Sequence, residues 1–258
     1  MGRGQYELIQ APTDELGGKS GPKAVFTARF IGKWDEPNRP YNVANETIAA
    51  LIGTALGLPV APGITDEIGG KPYFLSQDLP KPGDKQVGPQ GGAAAVEKLV
   101  ADNRLLVHGA IIFDLYIANN DRGFLPERRN LAVNNDGSLF LYDQGNCCFY
   151  RNRKTAKDVA GVPRLKSVEK SLSAMFDKGG DNFYWQLLTD VKLADHWFDR
   201  IRQIPDFMLE SFVNMIPRAV NPPTEAERQA LIEFLKKRRH YLRDQVLNDK
   251  THFPKLGG

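Results

Sequence analysis

The 258-residue chain predicts an α+β fold: a small, strand-rich N-terminal part with one helix, followed by a mainly helical remainder. Three observations carry this expectation. Runs of β-branched and aromatic residues fall before Ser76, as in Val25 to Ile31 (VFTARFI) and Tyr73 to Ser76, a composition that suits pleated strands. Gln77 to Gly92 is Pro/Gly-rich, charged and without periodicity, and reads as a hinge between two lobes with a cleft for a small ligand. Beyond it, apolar residues recur at helical spacing, one short hairpin apart. The division expected is residues 1–79 and 80–258.

Composition narrows the classes. With 41% hydrophobic and 25% charged residues, the chain has the make-up of a soluble globular protein. No apolar run approaches membrane-spanning length and MGRGQYELIQ lacks a secretory core, so a cytoplasmic location is expected. The two cysteines, Cys147 and Cys148, are adjacent, and His108, His196, His240 and His252 have no ligand spacing. A disulfide framework and a zinc site are therefore not expected. A net charge of +3 is too mild to imply a nucleic-acid partner. Lys236, Lys237, Arg238, Arg239 and Arg243 on the last helix leave a nucleic-acid or phospholipid contact open, beside the reading of a solvated helix face.

In chain order, Tyr6 to Ile9 suits a short strand and Asp14 to Lys23 a turn. Gly18-Lys19-Ser20 is no Walker A loop, because Thr13 stands where that loop needs glycine. In the strand from Val25, Arg29 lies on the face opposite Phe26, Ala28 and Phe30, and Lys33 shares its parity if the strand continues. Asn42 to Leu56 is an amphipathic helix, stopped by Gly57 and Leu58-Pro59. Glu46 in its first turn suits the helix dipole, or pairs with a cation on the preceding strand. Gly69-Gly70 marks a turn.

Ala93 to Ala118 has a long helical pattern, broken near Asp102-Asn103, and HGAIIFDLYIA within it is apolar nearly all round, as a buried helix should be. His108 reads as a hydrogen-bonded core histidine. Asp114 is explained by a structural bond to the loop that follows. That loop carries Asn119, Asn120, Asp121 and Arg122. Asn130 then opens a strand, Leu131 to Val133, Asn135-Asp136-Gly137 is a hairpin-turn signal, and a second strand from Leu139 to Tyr142 runs into Asp143-Gln144-Gly145. Asp121, Asn130 and Asp143 thus fall at one end of one unit. Such a set serves phosphoryl transfer, with one carboxylate to orient a hydroxyl and an Asn and an Asp to hold Mg²⁺. A turn-rich loop would use the same residue types.

Further on, Arg151, Arg153, Lys154 and Lys157 make a basic stretch. Helices are expected at Leu165 to Phe176, Asp181 to Thr189, Leu193 to Gln203 and Pro205 to Met215, with Trp185, Trp197, Phe198, Phe207 and Phe212 as core anchors. Thr224 and Glu227 form a capping box for the last helix.

With Asn45-Glu46 in VANETIAALIGTALGLPVAP, then Asn120-Asp121-Arg122, Asn130 and Asp143-Gln144-Gly145, the chain resembles the HipA-like kinases over roughly residues 20–150. These are bacterial phosphotransferases of protein-kinase-like fold, distantly related to the phosphatidylinositol 3/4-kinases. The resemblance implies a bilobal fold, with an antiparallel sheet and one helix in the small lobe, and use of ATP and Mg²⁺ on a protein hydroxyl. It implies Asp121 as the catalytic aspartate and Asn130 and Asp143 as metal ligands. Nucleotide binding would fall to Arg29 or Lys33, Glu46, and the hinge residues Gln77, Asp78 and Leu79. Three features depart from the family. Asp121 and Asn130 are nine positions apart rather than five, with GFLPERR and its Arg128 and Arg129 between them. The strand cation is Arg29 or Lys33. No Gly-rich phosphate loop stands out. An ATP-binding pseudokinase that regulates or docks, and a lipid or small-molecule kinase, are the alternatives. The phosphoacceptor is left open.

Overall fold

A computed structural model describes residues 6–13, 23–28, 30–37, 39–77, 85–86, 98, 100–122, 130–133, 139–149, 184–220 and 223–256. Arg29, Asp78 and Leu79, the Gly18-Lys19-Ser20 loop, the GFLPERR insertion, the Asn135-Asp136-Gly137 turn, the basic stretch after Tyr150 and the Leu165–Phe176 segment lie outside them.

The fold is α+β. Strands β1 (Tyr6–Thr13) and β2 (Lys23–Ala28) pair antiparallel. Strands β3 (Phe30–Trp34), β4 (Gly63–Ile68) and β5 (Lys71–Gln77) form an antiparallel sheet in the order β3-β5-β4. The strand expected from Val25 to Ile31 is therefore two strands in two sheets, and Lys33 belongs to the second. β4 and β5 are joined by Gly69-Gly70, with φ of 60° and 76°, the left-handed conformations that tight hairpins ask for. In β3, Lys33 pairs with Phe74 of β5, which is 2% exposed. Period-2 alternation thus turns Lys33 toward the covered face of the sheet, and Phe30 and Trp34 toward the open one.

That face is covered by helix α1 (Asn42–Ala55), which touches all three strands. Its apolar spacing buries Val43, Ile48, Ala49 and Ile52. The Asp35 carboxylate accepts from the Val43 N–H at 2.9 Å and so serves its N-terminus across the loop. At the other end, Gly57 N–H donates to Thr54 O and Leu58 N–H to Gly53 O, both at 2.9 Å, closing the helix with a Schellman motif.

Lys85–Gln86, inside the expected hinge, is a short strand β6 on β7 (Leu131–Val133), which pairs in turn with β8 (Leu139–Leu141). Two residues are too few to leave a periodic trace. The chain leaving α1 joins this sheet too: Leu141 donates to Pro59 O at 2.8 Å and Ala61 to Leu141 O at 3.0 Å.

Helix α2 (Arg104–Tyr116) is buried from Val107 onward, as its all-round apolar pattern requires. Against it pack α3 (Val191–Arg202) and α5 (Glu225–Asn248), while α4 (Asp206–Asn214) packs on α5 and α1. Of the segment expected from Asp181, only a 3-10 turn at Trp185–Leu187 is helical among the described residues. The Thr224–Glu227 capping box forms as expected. His108 is a structural core residue: its Nε2 accepts from the N–H groups of Thr189 and Asp190 at 3.2 and 3.1 Å, so its Nδ1 donates to Arg104 O at 2.7 Å. Burial holds its pKa below the usual value.

Two expectations fail in this part. Phe207 is 68% exposed rather than a core anchor. Of the basic run on α5, Lys237 is solvated, its side chain 65% exposed, but the other four cations do not form a solvated face. Arg238 is fully buried and donates to Leu115 O at 2.8 Å, Arg239 binds Ile204 O and Asp206, Arg243 binds Asp195, and Lys236 binds Glu210 at 2.6 Å. These cations bolt α5 to its neighbours. Partners distant in sequence supply the acceptors, which is why local charge pattern did not reveal them.

Candidate active site

Lys33 ends in a cluster of two carboxylates. Its Nζ lies 2.5 Å from Glu46 Oε1 and 3.1 Å from Asp143 Oδ1. β3, α1 and the end of β8 each supply one member. Glu46 is nearly buried and Asp143 is 36% exposed at its side chain. Burial alone would lower the Lys33 pKa, but Glu46 and Asp143 outweigh it and hold the ammonium above its ordinary value. Burial lifts the Glu46 carboxyl against the opposing pull of Lys33. The structure thus brings Lys33 to Glu46.

The segment bearing Asp143 is held from two sides. From α1, Asn45 is fully buried and points about 100° around the helix from Glu46. Its Nδ2 donates to Gly145 O at 2.9 Å and Phe149 O at 3.1 Å, while its Oδ1 accepts from Phe149 N–H at 3.1 Å. The Phe149 ring stacks on Tyr41 at 4.8 Å. Gly145 lets the two segments approach closely: a Cβ there would lie 2.3 Å from Asn42 Oδ1, and that side chain would have to turn aside. From the other side comes Arg122, fully buried, which reaches the carbonyls of Asn130 and Tyr142 and the side chain of Gln144.

Asp121 follows α2 by five residues and is partly exposed. Its N–H donates to Asn119 Oδ1 at 3.1 Å, and its carbonyl accepts from Asn130 Nδ2 at 2.8 Å. The nine-residue separation therefore still leaves Asp121 and Asn130 in contact. Since the Asn130 amide nitrogen is spent on Asp121, its Oδ1 is the atom with metal-binding chemistry. Asn146 Nδ2 donates to Asn120 Oδ1 at 3.1 Å, joining the Asp121 loop to the Asp143 segment. Asp114 binds Arg122 at 2.7 Å, Asn119 at 2.9 Å and Tyr184 at 3.0 Å, which is the structural bond to the loop that its place in an apolar helix implied.

Backbone strain gathers here as well. Among the described residues, the non-glycine residues with positive φ are Ala118 (54°), Asp143 (52°) and Cys148 (43°). All three flank the Asp121 loop or lie in the Asp143 segment. Such conformations are costly and persist where the surroundings over-determine them, typically at functional sites. Cys147 and Cys148 are buried beside the site, and Cys148 N–H donates to Ile117 O at 2.7 Å.

Of the hinge residues, Gln77 is placed only as the last residue of β5, paired with Phe30. Arg29, Asp78 and Leu79 are outside the described residues. Sequence reasoning gave no separate role to Asn45, Arg122 or Gln144. The available signal was a polar residue next to each assigned one inside an otherwise buried stretch.

An oxygen donor set of Asn130 Oδ1 and the Asp143 carboxylate fits a hard divalent cation such as Mg²⁺. Among the described residues there is no cluster of three or more His, Cys, Asp or Glu that could hold a metal by itself. No described helix is long and apolar enough to cross a membrane.

No family model matches the sequence, and no curated protein matches it. Solved structures do. The chain is similar to the crystal structure of the proinflammatory kinase CtkA of Helicobacter pylori, with 12% identity and a TM-score of 0.57 over 94% of this chain and 95% of that one. It is also similar to a chain of the Shewanella oneidensis toxin–antitoxin complex of HipA, HipB and operator DNA, at 15% identity and a TM-score of 0.46, covering 94% of this chain and 66% of that one. The chain has a kinase-like fold.

Proposed function

We propose that the protein is a Mg²⁺- and ATP-dependent phosphotransferase that phosphorylates a Ser or Thr hydroxyl of a protein. The observation that carries this reading is Lys33 held between Glu46 and Asp143, with Asn130 and Asp121 hydrogen-bonded to each other in the adjoining segment. The kinase-like fold supports it. In this reading residues 1–79 are the small lobe and 80–258 the large one, with ATP between them.

Lys33 binds phosphate oxygens, and Glu46 keeps it aimed there. Lys33 takes this role because, among the described residues, it is the cation that meets Glu46. Asn130 and Asp143 would hold Mg²⁺, which when bound neutralises charge on the phosphates. Asp121 orients the acceptor hydroxyl and takes its proton as its oxygen bonds to the γ-phosphorus and the bond from that phosphorus to the oxygen leaving with ADP breaks. Gln77, Asp78 and Leu79 would line the base. Most of the rate then comes from positioning and charge neutralisation.

The test is release of ADP and transfer of label from γ-labelled ATP in the presence of Mg²⁺, in the native chain and in Asp121→Asn. Loss of transfer by about 100-fold or more in the variant, with ATP binding retained, is expected for a residue that handles the proton. Transfer undiminished in Asp121→Asn would remove it from the reaction. ATP binding with no transfer in the native chain would make the protein a nucleotide-binding regulatory module instead.

A further inference from the structure

The Asp114–Arg122–Tyr184 cluster is sealed from solvent, with both charged side chains 0% exposed. Its cation is bonded to several parts of the candidate site. Arg122 Nε binds Asp114 Oδ2 at 2.7 Å. Nη1 reaches Asn130 O and, at 3.4 Å, Tyr142 O. Nη2 binds Gln144 Oε1. One planar group therefore grips the chain at Asn130 and on both sides of Asp143, and it sits next to Asp121 in sequence. Lysine, whose three donors sit on one nitrogen, could not reach all four of these separated partners at once.

Gln144 shows how firmly this arrangement is imposed. Its Oε1 takes Arg122 and, at 3.3 Å, Asn119 Nδ2, and its Nε2 is buried with no partner among the described residues. Rotating the amide would free that donor from its dry position only by turning it onto the guanidinium. The orphan is retained so that the oxygen can face Arg122. Tyr184 Oη shares Asp114 Oδ2 with Arg122, and Asn119 Nδ2 binds Oδ1, so the carboxylate is fixed from both oxygens.

We infer that Arg122 is a positioning residue that sets Asn130 and Asp143 relative to each other, and that Asp114, oriented by Tyr184, fixes Arg122 in that role. The inference rests on the proposed metal site for its consequence, though not for its geometry. Weakening the grip loosens the two segments separately, so metal binding suffers while contacts to nucleotide through Lys33 persist.

The test uses the full chain with Arg122→Lys, which keeps a charge against Asp114, and with Tyr184→Phe, which removes one bond from that carboxylate. Two readouts are followed. One is hydrogen exchange at the Tyr142 and Cys147 amides, bonded to Asn130 O and Gln144 O. The other is the Mg²⁺ concentration for half-maximal ATP binding, set against ATP affinity without metal. In Arg122→Lys, exchange at these amides should rise about tenfold or more while helices α3 to α5 keep their protection. The Mg²⁺ requirement should rise about tenfold, the usual cost of losing a group that orients a metal ligand, with metal-free affinity within about twofold. Tyr184→Phe should show the same pattern at smaller amplitude, and it decides the matter if the lysine variant does not fold. Unchanged exchange at Tyr142 and Cys147, or protection lost evenly across the chain, would overturn the inference. If the native chain binds no ATP, the proposed function fails by itself and the exchange pattern alone judges Arg122.

Discussion

Two carboxylate–cation clusters meet at the Asp143 segment, built from similar chemistry and differing in access to water. In the Lys33 cluster, Asp143 keeps 36% of its side-chain surface and shares its cation with Glu46. In the Arg122 cluster nothing is exposed, and each charge is met by a fork, an amide or a phenol in fixed directions. An exposed ion pair contributes little and can exchange partners. A sealed one cannot lose a partner without leaving a charge stranded. The first arrangement suits a site that must release Asp143 to a metal, and the second suits the frame that holds the site still.

Substitutions can break this contrast. Asp114→Ala should be the most damaging change, costing about 3–5 kcal/mol because Arg122 is left buried and uncompensated; urea denaturation measures it. Asp143→Asn should cost within about 1 kcal/mol, as a partly exposed pair does, yet abolish any Mg²⁺ dependence of ATP binding. If the two variants were equally destabilised, Asp143 would be a frame residue and the contrast would collapse. Gly145→Ala tests the join between them. A Cβ 2.3 Å from Asn42 Oδ1 and 3.3 Å from Glu46 Oε1 must turn the Asn42 side chain aside and crowd the carboxylate that meets Lys33, with an expected loss of about 1 kcal/mol and weaker metal dependence. A normal melting curve with normal metal dependence would show that α1 and this segment are not coupled.

The sequence made the framework visible where signals were local. α1 carried its own spacing and stop signal, β7 and β8 the Asn135-Asp136-Gly137 turn signal between them, and α5 its capping box. Asp114 announced a bond by being charged in an apolar helix. Other features were hidden because their causes are tertiary. β4 (GITDEI) was not foreseen, since four of its six residues are exposed and no burial pattern marks it. The break between β2 and β3 follows from pairing with different partners, which a continuous β-forming run does not disclose. The Lys33 assignment needed that break to be known, because parity alone left Arg29 equally open. Asn45 was legible only as half of Asn45-Glu46, and its bonds to Gly145 and Phe149 span about a hundred residues of chain.

The smallest effect concerns the start of α1, which aims Glu46. Asp35 caps Val43 from a mostly buried position, and burial pushes its pKa to about 6, against the lowering effect of the Val43 and Asn42 N–H groups. A carboxyl raised in the folded state contributes stability that is complete below its ordinary value of 3.8 and is lost as pH rises through about 6. Asp35→Asn keeps an acceptor for Val43 and carries no charge. It should be more stable than the native chain at pH 7 and should lose the decline between pH 4 and 6, as read from denaturation midpoints across that range. A native decline that survives in the variant would assign it to another group.

Lys33, Asn130 and Asp143 are proposed to form a site for ATP with Mg²⁺. It is tested most directly by calorimetry of ATP binding with and without Mg²⁺, on the native chain and on Asp143→Ala. The account predicts binding that is strengthened by Mg²⁺ in the native chain and loses that strengthening in the variant. No ATP binding by the native chain, or the same Mg²⁺ dependence in both proteins, would contradict it.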